Sequence, residues 1–424
     1  MDTKLLATKN TPNECWLSVN GEVWDVTEFL DKHPGGRQVI LNSAGLADCT
    51  SEFERYHPAR TLELVLGRNK MIGQVLLSVA PSSPWLSLLD IEREAKQKLG
   101  EREYNYFSTG AEDEMTLRAN EEQFRKHSWL VPRTLLLRPK GKVDLTAKLF
   151  GCEFGLPLVL CATAMQRLAD PMHAERASCR AAQSRNVAYM IPHLSSVPWN
   201  ELDAPFLQLY LPQDPQVLDQ VLHQASQCRS VRALFITVDS AKVGKRERDL
   251  RSGAATSPRA SSSQWKSAFS VSDLKHILCQ TSLPVVLKGV QRGEDAVLAV
   301  QLGVKGIMVS NHGARNLDGA RPSLASLVDV HHALLGAGLR QNVALLFDGG
   351  VRRGADICKA LGLGADMVGV GRPLLYSLAA GGGQRGVERM VGILSDEMHT
   401  TMSLMGCENV HELRGLVEFP RSYL

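Results

Sequence analysis

The chain has 424 residues, 44% of them hydrophobic and 22% charged, and its 48 basic against 45 acidic side chains leave a net charge of +3. This length predicts two or three domains, or one barrel with an accessory module. The near balance of charge gives no support for nucleic acid or an acidic membrane surface as a partner. The nine cysteines form no Cys-x-x-Cys pair, which indicates reduced thiols and argues against a zinc site or a disulfide framework.

The first 75 residues read as a small module. Asn20-Gly21 separates two short apolar segments, 15–19 and 22–26, and this dipeptide is a strong signal for a two-residue β-hairpin. His33 and His57 each stand beside a proline, so each imidazole projects from a restrained stretch of backbone. Taken alone, the two histidines could simply be surface residues in turns.

The sequence around these histidines resembles cytochrome b5 domains. The resemblance lies in Trp24-Asp25-Val-Thr-Glu-Phe-Leu-Asp-Lys-His33-Pro-Gly-Gly and in the residues between Ala44 and His57. It implies a small α+β domain that binds haem b, with His33 and His57 as the two axial ligands of the iron. With both axial positions filled, such a haem transfers single electrons and has no open position for oxygen.

Residues 77–86 contain two prolines and three serines without hydrophobic periodicity, which is typical of a linker. We therefore predict a haem-binding domain at 1–75, a linker at 76–88 and a second domain at 89–424.

The second domain begins with a predicted helix near 91–99 and then alternates short apolar runs with amphipathic segments. Eight strand–helix repeats favour a TIM (β/α)8 barrel over a doubly wound sheet. The eight runs are 157–164, 187–192, 205–211, 233–239, 284–290, 306–313, 343–350 and 366–373.

Polar side chains cluster at the carboxyl ends of these runs, where barrel enzymes carry their active sites. Single residues have plain alternatives: Asp239 could cap a helix, His312 could be structural, and Arg372 could lie in a surface turn. Their joint occurrence at one mouth favours a site. Glycine- and arginine-rich segments at the ends of the seventh and eighth runs, 348–354 and 371–373, lie where barrels bind phosphate.

Between about residues 90 and 415 the chain resembles the FMN-dependent α-hydroxy acid oxidising enzymes. The matching segments are Tyr104–Glu114, Pro132-Arg133, Ala162-Thr163-Ala164, Gln208-Leu209-Tyr210, Thr237-Val238-Asp239, Gly244–Glu247, Lys288-Gly289-Val290, His312–Arg315, Asp348–Gly354 and Gly371-Arg372-Pro373.

This resemblance implies that His312 is the general base and that Asp239 orients it. Arg315 and Arg246 would hold the substrate carboxylate, a task suited to a planar guanidinium. Whether the oxidation proceeds by hydride or by carbanion is left open by the sequence.

Further roles follow from the same resemblance. Tyr106 and Tyr210 would hydrogen-bond the substrate, and Lys288 would offset the negative charge of reduced FMN. The implied FMN contacts are Ala162, Thr163, Ala164, Gln208, Thr237, Lys288, Asp348, Gly350, Arg352, Gly371 and Arg372.

The two modules together are similar to the flavocytochromes b2, which are L-lactate dehydrogenases that pass electrons to cytochrome c. The expected partners are thus a small 2-hydroxy acid, cytochrome c or another one-electron acceptor, and further copies of the chain in a tetramer. Two alternatives remain open: the same chemistry on a larger hydroxy acid of a specialised pathway, and a catalytically silent electron-transfer or binding protein.

Two departures from the family pattern stand out. Pro192-His193 replaces a Ser-Thr pair at the end of the second strand, and the 249–273 segment is short, with Val271 where the family has a tryptophan. No targeting peptide or membrane span is recognised in the sequence, which predicts a cytoplasmic location. Ser422-Tyr423-Leu424 only partly matches a peroxisomal signal.

Overall fold

The computed structural model describes residues 3–46, 49–58, 61–74, 85–133, 143–253 and 265–420. The chain forms two compact units, Met1–Pro84 and Trp85–Leu424. Most of the predicted linker, the serine-rich stretch at 254–264 and the 422–424 tail lie outside the described residues, so the domain limits at 75 and 88 stay predictions. In the part of the chain that is described, no helix combines the length and apolar character that crossing a membrane requires.

The first unit is built on a four-stranded antiparallel sheet. Its strands, in the order in which they pair, are β1 (Asn10–Thr11), β2 (Glu14–Val19), β3 (Glu22–Asp25) and β4 (Met71–Gln74). Asn20 and Gly21 form the two-residue turn between β2 and β3, with φ angles of 53° and 77°, as the Asn-Gly signal predicts. The helices are α1 (Thr3–Ala7), α2 (Arg37–Ser43), α3 (Thr50–Glu54) and α4 (Thr61–Leu66), with 3-10 turns at Thr27–Lys32 and Arg68–Lys70.

The second unit contains a closed barrel of eight parallel strands, which confirms the predicted fold class. Each strand lies inside one of the eight predicted runs. They are β8 (Leu158–Leu160), β9 (Ala188–Ile191), β10 (Phe206–Leu209), β11 (Ala233–Thr237), β12 (Val285–Val290), β13 (Gly306–Val309), β14 (Ala344–Asp348) and β15 (Met367–Val370).

Side chains of the barrel strands divide between two apolar cores, because successive residues of a strand point to opposite faces. On β10, Phe206 belongs to the inner core and Leu207 to the outer one, where the strands meet the helices. The inner core is closed at the amino-terminal end of the strands, where Phe154 packs edge-on against Phe206 with ring centres 6.0 Å apart. The opposite, carboxyl end therefore remains available for a site.

The remaining elements surround or extend the barrel. Two short antiparallel pairs join β5 (Trp129–Leu130) to β16 (Val417–Glu418) and β6 (Ala147–Leu149) to β7 (Cys152–Phe154). The helices are α5 (Leu88–Lys98), α6 (Glu101–Ser108), α7 (Met115–Lys126), α8 (Glu175–Ser184), α9 (Pro215–Gln227), α10 (Glu247–Arg251), α11 (Val271–Gln280), α12 (Gly293–Gln301), α13 (Ser323–Gly336), α14 (Gly354–Gly362), α15 (Arg372–Gly381) and α16 (Gln384–Met405).

Candidate functional site

A cavity of about 260 Å³ opens at the carboxyl ends of the barrel strands. All of the predicted substrate and FMN residues line it except Asp239, which lies directly behind His312. The lining includes Tyr106, Ala162, Thr163, Ala164, Gln208, Tyr210, Thr237, Arg246, Lys288, His312, Arg315, Asp348, Gly350, Arg352, Gly371 and Arg372. Side chains separated by up to 266 positions in sequence thus meet around one space.

His312 and Asp239 form a hydrogen-bonded pair, with 2.9 Å between His312 Nδ1 and Asp239 Oδ1. Since a carboxylate only accepts, His312 Nδ1 carries the proton and Nε2 is left as the basic nitrogen. Burial raises the pKa of Asp239, but the nearby His312 and Lys288 outweigh it and hold that pKa below its ordinary value. Asp239 is therefore ionised and fixes the ring in one tautomer.

The loop that carries His312 has an unusual backbone. His312, Gly313 and Ala314 have φ angles of 58°, 60° and 60°, and left-handed conformations of residues with a Cβ are costly. Arg372 holds this loop: its guanidinium donates to Gly313 O at 2.9 Å and also to carbonyls of Phe107 and Thr109. The loop is thereby tied to the carboxyl end of α6.

Arg315 binds the same end of α6. Its Nη1 donates to the carbonyl oxygens of Tyr106, Phe107 and Thr109 at 2.8 to 3.1 Å. The carboxyl terminus of a helix carries partial negative charge, so it favours a cation such as this guanidinium. Arg246 Nε in turn donates to Arg315 O at 3.2 Å. The two predicted carboxylate-binding arginines are thus adjacent, and their roles toward a substrate stay predictions.

Lys288 lies among buried partners below the cavity. Its Nζ is 3.1 Å from Asp348 Oδ2 and 3.0 Å from Ser310 Oγ. Burial opposes the charge on Lys288, but Asp348 and Asp239 outweigh it and raise the pKa of Lys288. A permanent positive charge therefore faces the cavity, as charge compensation for a reduced flavin requires.

The region beyond β14 and β15 has the composition of a phosphate site. Gly349 and Gly350 have φ angles of 117° and 83°, and a Cβ at Gly350 would lie 2.2 Å from Asn120 O, so glycine is required there. Gly371 precedes the first turn of α15, whose backbone N–H groups favour an anion. Arg352 lines the same end of the cavity. Arg372 also lines this end of the cavity, with Nε and Nη2 bonded to carbonyl oxygens, and its role toward a phosphate stays a prediction.

Several residues of the site were missed from the sequence. Ser310 Oγ accepts from Lys288 and from the His312 N–H. Asn311 and Asn120 exchange two side-chain hydrogen bonds of 2.9 and 3.0 Å, which joins α7 to the His312 loop. Ser310 and Asn311 directly precede His312 in the sequence, and this adjacency could have identified them as residues of the site. Trp265, which also lines the cavity, lies in a segment without periodicity and gave no such signal.

In the first unit, His33 and His57 face each other with ring centres 5.9 Å apart. His33 Nδ1 is 3.2 Å from Gly36 O, and His57 Nδ1 is 3.0 Å from Phe53 O. A carbonyl only accepts, so both Nδ1 atoms carry the proton and both Nε2 lone pairs remain for a metal. His33 and His57 would therefore hold a haem iron through their two Nε2 atoms.

These observations fit both predicted cofactors. Asp348 Oδ1 is buried without a hydrogen-bond partner among the described residues, so a hydroxyl-bearing ligand beside it would satisfy it. Within the same residues, no group of three or more His, Cys, Asp or Glu side chains is arranged to hold a metal ion. The His33/His57 pair offers two imidazole nitrogens, which would suit an iron whose other ligands come from a porphyrin.

Comparisons with known proteins find one family match within each of the two units. Residues 95–418 match the model of the FMN-dependent dehydrogenase family, and residues 3–77 match that of the cytochrome b5-like haem/steroid binding domain. An L-lactate dehydrogenase (cytochrome) from Wickerhamomyces anomalus is 33% identical over 97% of this chain and 78% of its own length. Glycolate oxidase 1 from Zea mays is 35% identical over 77% of this chain and 94% of its own.

Solved structures agree with these matches. A flavocytochrome b2 mutant with pyruvate bound superimposes with a TM-score of 0.74 at 33% identity, covering 79% of this chain and 87% of the other. A mandelate oxidase superimposes with a TM-score of 0.74 at 34% identity, covering 79% and 98%. The chain belongs to the FMN-dependent dehydrogenase family, as a flavocytochrome b2-like member in which a cytochrome b5-like domain precedes the dehydrogenase barrel.

Proposed function

We propose that this protein oxidises a lactate-like L-2-hydroxy acid to the 2-keto acid, and that electrons leave through FMN and haem b to cytochrome c or another one-electron acceptor. The observation that carries the proposal is the His312–Asp239 pair, which presents a basic nitrogen to a cavity that also holds a buried cationic lysine. Relatives of matching architecture that are L-lactate dehydrogenases (cytochrome) support it.

The protein's own residues divide the work between positioning and proton transfer. His312 Nε2 accepts a proton from the substrate, and Asp239 stabilises the resulting imidazolium. Arg315 and Arg246 bind the carboxylate. Burial and the charge of Asp239 raise the pKa of Tyr210 to about 12, so its phenol stays protonated and donates a hydrogen bond to the substrate oxygen.

The cofactors supply the redox chemistry: bound FMN accepts two electrons and bound haem transfers them singly. Lys288 holds a positive charge beside the predicted ring site, while Gly350, Gly371 and Arg352 would bind the phosphate. In the first unit, Gly36 and Phe53 carbonyls hold His33 and His57 in the tautomer that an iron ligand needs.

One spectroscopic experiment tests the proposal. The purified protein should show a Soret band over a flavin absorption, and anaerobic addition of L-lactate should bleach the flavin and sharpen the haem bands. Addition of cytochrome c should then reverse both changes. Absence of a flavin signal after reconstitution with FMN, or a flavin that no 2-hydroxy acid bleaches, would contradict the proposal.

A larger hydroxy acid is a second candidate substrate, favoured by the apolar side chains along the cavity. Leu194, Val243 and Trp265 line it together with Tyr210. Glycolate, lactate, mandelate and longer 2-hydroxy acids should be compared by kcat/KM. Turnover of lactate alone would reject this candidate, whereas a higher kcat/KM for the bulkier acids would support it.

The catalytically silent alternative, together with the predicted tetramer and cytoplasmic location, stays open to direct test. A silent protein would retain both cofactor spectra without bleaching by any acid. Sedimentation of the purified protein would measure the oligomeric state, and microscopy of a tagged chain would show its location.

A further inference from the structure

The end of the second barrel strand holds a histidine that none of the assigned roles uses. The ladder between β9 and β10 ends at the pair Leu207–Ile191. Tyr210, which follows β10, is beyond that ladder, so its backbone N–H needs another acceptor. On the neighbouring strand, β9 ends at Ile191, and the next two residues are Pro192 and His193.

His193 provides the missing acceptor. The Tyr210 N–H donates to His193 Nδ1 at 3.0 Å, and the His193 N–H donates to Gln208 Oε1 at 3.1 Å. Gln208 Nε2 continues to Thr237 Oγ1 at 2.9 Å. These three bonds join the ends of the second, third and fourth strands beyond the backbone ladder, and Gln208, Tyr210 and Thr237 all line the cavity.

The imidazole also supports an aromatic wall of the cavity. Trp265 packs on the His193 ring at 74° with centres 4.7 Å apart, and the centre of the Tyr210 ring lies 6.3 Å from that of His193 with the two rings stacked at 22°. The Tyr210 and Trp265 rings are 5.7 Å apart. His193 therefore contacts two cavity-lining rings from behind.

The hydrogen bonds fix the state of this imidazole. An Nδ1 atom that accepts from the Tyr210 N–H carries no proton, so His193 is neutral with its proton on Nε2. Burial acts in the same direction and lowers the pKa of His193 to about 4. The acceptor is thus maintained throughout the neutral pH range.

We propose that His193 is a positioning residue of the active site, which holds Tyr210 and Trp265 in place through its Nδ1 atom and its ring. This role deepens the proposed hydroxy acid oxidation and its effect on turnover rests on that proposal. A serine or threonine, which the family pattern has here, has no ring to pack against Trp265. His193 is therefore a feature of this chain's own substrate wall.

Two variants separate the hydrogen bond from the packing. His193→Asn keeps an acceptor, because the asparagine Oδ1 is bonded to Cγ as Nδ1 is in histidine. His193→Phe keeps an aromatic ring but removes the acceptor. Hydrogen–deuterium exchange of a peptide containing Tyr210 measures the bond itself, with a β14 peptide as the internal reference.

We expect the Tyr210 amide to exchange at least about tenfold faster in His193→Phe and to regain protection in His193→Asn. With the FMN-loaded protein, kcat/KM for the best hydroxy acid should fall roughly 10- to 100-fold in His193→Phe, with partial restoration in His193→Asn, which keeps the acceptor but loses the ring, and with unchanged FMN content. Unchanged Tyr210 exchange in His193→Phe, or no regain of Tyr210 protection in His193→Asn, would overturn the role.

Two further results keep the test decisive. If His193→Phe does not fold, His193→Leu replaces it, because leucine has comparable bulk without an acceptor. If the wild-type protein oxidises no 2-hydroxy acid, the proposed function fails, while the exchange measurement still decides whether His193 holds Tyr210.

Discussion

The histidines of the two units form their positioning hydrogen bond through the same ring atom, Nδ1, but with different kinds of partner. In the first unit, His33 and His57 Nδ1 bond to backbone carbonyls three and four residues away. In the barrel, His312 Nδ1 bonds to the carboxylate of Asp239, 73 residues away. In each case the proton is on Nδ1, so the lone pair of Nε2 is available to a metal or to a proton.

The partner of Nδ1 determines whether a histidine is suited to bind a metal or to act as a general base. A neutral carbonyl fixes the tautomer without favouring a second proton, so the imidazole stays a lone-pair donor to a metal. A carboxylate stabilises the imidazolium by its charge, so the ring can take up a proton during the reaction. The following substitutions test this contrast.

The largest effect is expected from removing an iron ligand. His57→Ala should abolish reduction of cytochrome c, because the iron loses one of its two protein ligands. Bleaching of the flavin by hydroxy acid should continue, since the barrel is untouched. Stopped-flow absorbance follows both steps, with His411→Ala, an exposed histidine of the barrel unit, as the control. Full cytochrome c reduction by His57→Ala would refute the ligand role.

Removing the base should reverse that pattern. His312→Gln should slow flavin reduction by roughly 10²- to 10⁴-fold while the haem spectrum remains. The matched control is His276→Gln, which breaks a surface pair of 2.7 Å with Asp219 and should leave turnover unchanged. Equal rates in His312→Gln and wild type would show that the pair near the cavity is structural.

Asp239→Asn tests the contribution of charge within the pair. An amide retains the size of the carboxylate but not its charge, so the imidazolium loses stabilisation and the base is weakened. We expect flavin reduction to fall by roughly 10- to 10³-fold. Flavin reduction at the wild-type rate would contradict the proposed electrostatic role.

Arg372→Met should act mainly on stability. It removes three hydrogen bonds from a charged donor to carbonyls around the His312 loop, each worth about 1 kcal/mol or more, although Phe107 O and Thr109 O keep their bonds from Arg315. Urea unfolding should show a loss of roughly 2 kcal/mol or more. Arg353→Met, which removes an exposed ion pair with Glu397, should lose less than about 1 kcal/mol. Equal losses would contradict the anchoring role.

The smallest effect is a pH dependence of stability. Burial lowers the folded pKa of His193 and His331 to about 4, below the ordinary 6.5. Between these values the unfolded chain binds more protons, so stability should fall as pH decreases from about 6.5 to about 4. Melting temperatures at pH 7, 6 and 5 measure this, and His193→Asn should flatten the decline. A Tm that rises on acidification would contradict the assignment.

Much of this architecture could be predicted because its determinants are local. The Asn20-Gly21 turn follows from two residues that tolerate positive φ, and each barrel strand lies within an apolar run bounded by turn residues. The polar residues of the cavity were predicted because parallel strands bring their carboxyl ends together, so a residue's place on its strand indicates its place in space. Their individual roles remain predictions.

Contacts that depend on side-chain direction could not be predicted. Arg372 and Gly313 are 59 positions apart, and Asn120 and Asn311 are 191 apart. No pattern in the sequence reports which of several acceptors a long guanidinium reaches, since that depends on how α6 and the His312 loop pack. The position of Trp265 at the cavity could not be predicted either, because the sequence before it has no hydrophobic periodicity that would place it on a strand or helix.

By itself, the sequence determined the two modules, the eight strands and the rim on which the reactive side chains lie, since hydrophobic periodicity and turn residues act over a few positions. Only the tertiary structure decided the side-chain partners beyond the His312–Asp239 pair that the family resemblance implies. It joined Arg372 to Gly313 and Tyr210 to His193, because hydrogen bonds and burial depend on distances between atoms that the folded barrel alone brings together.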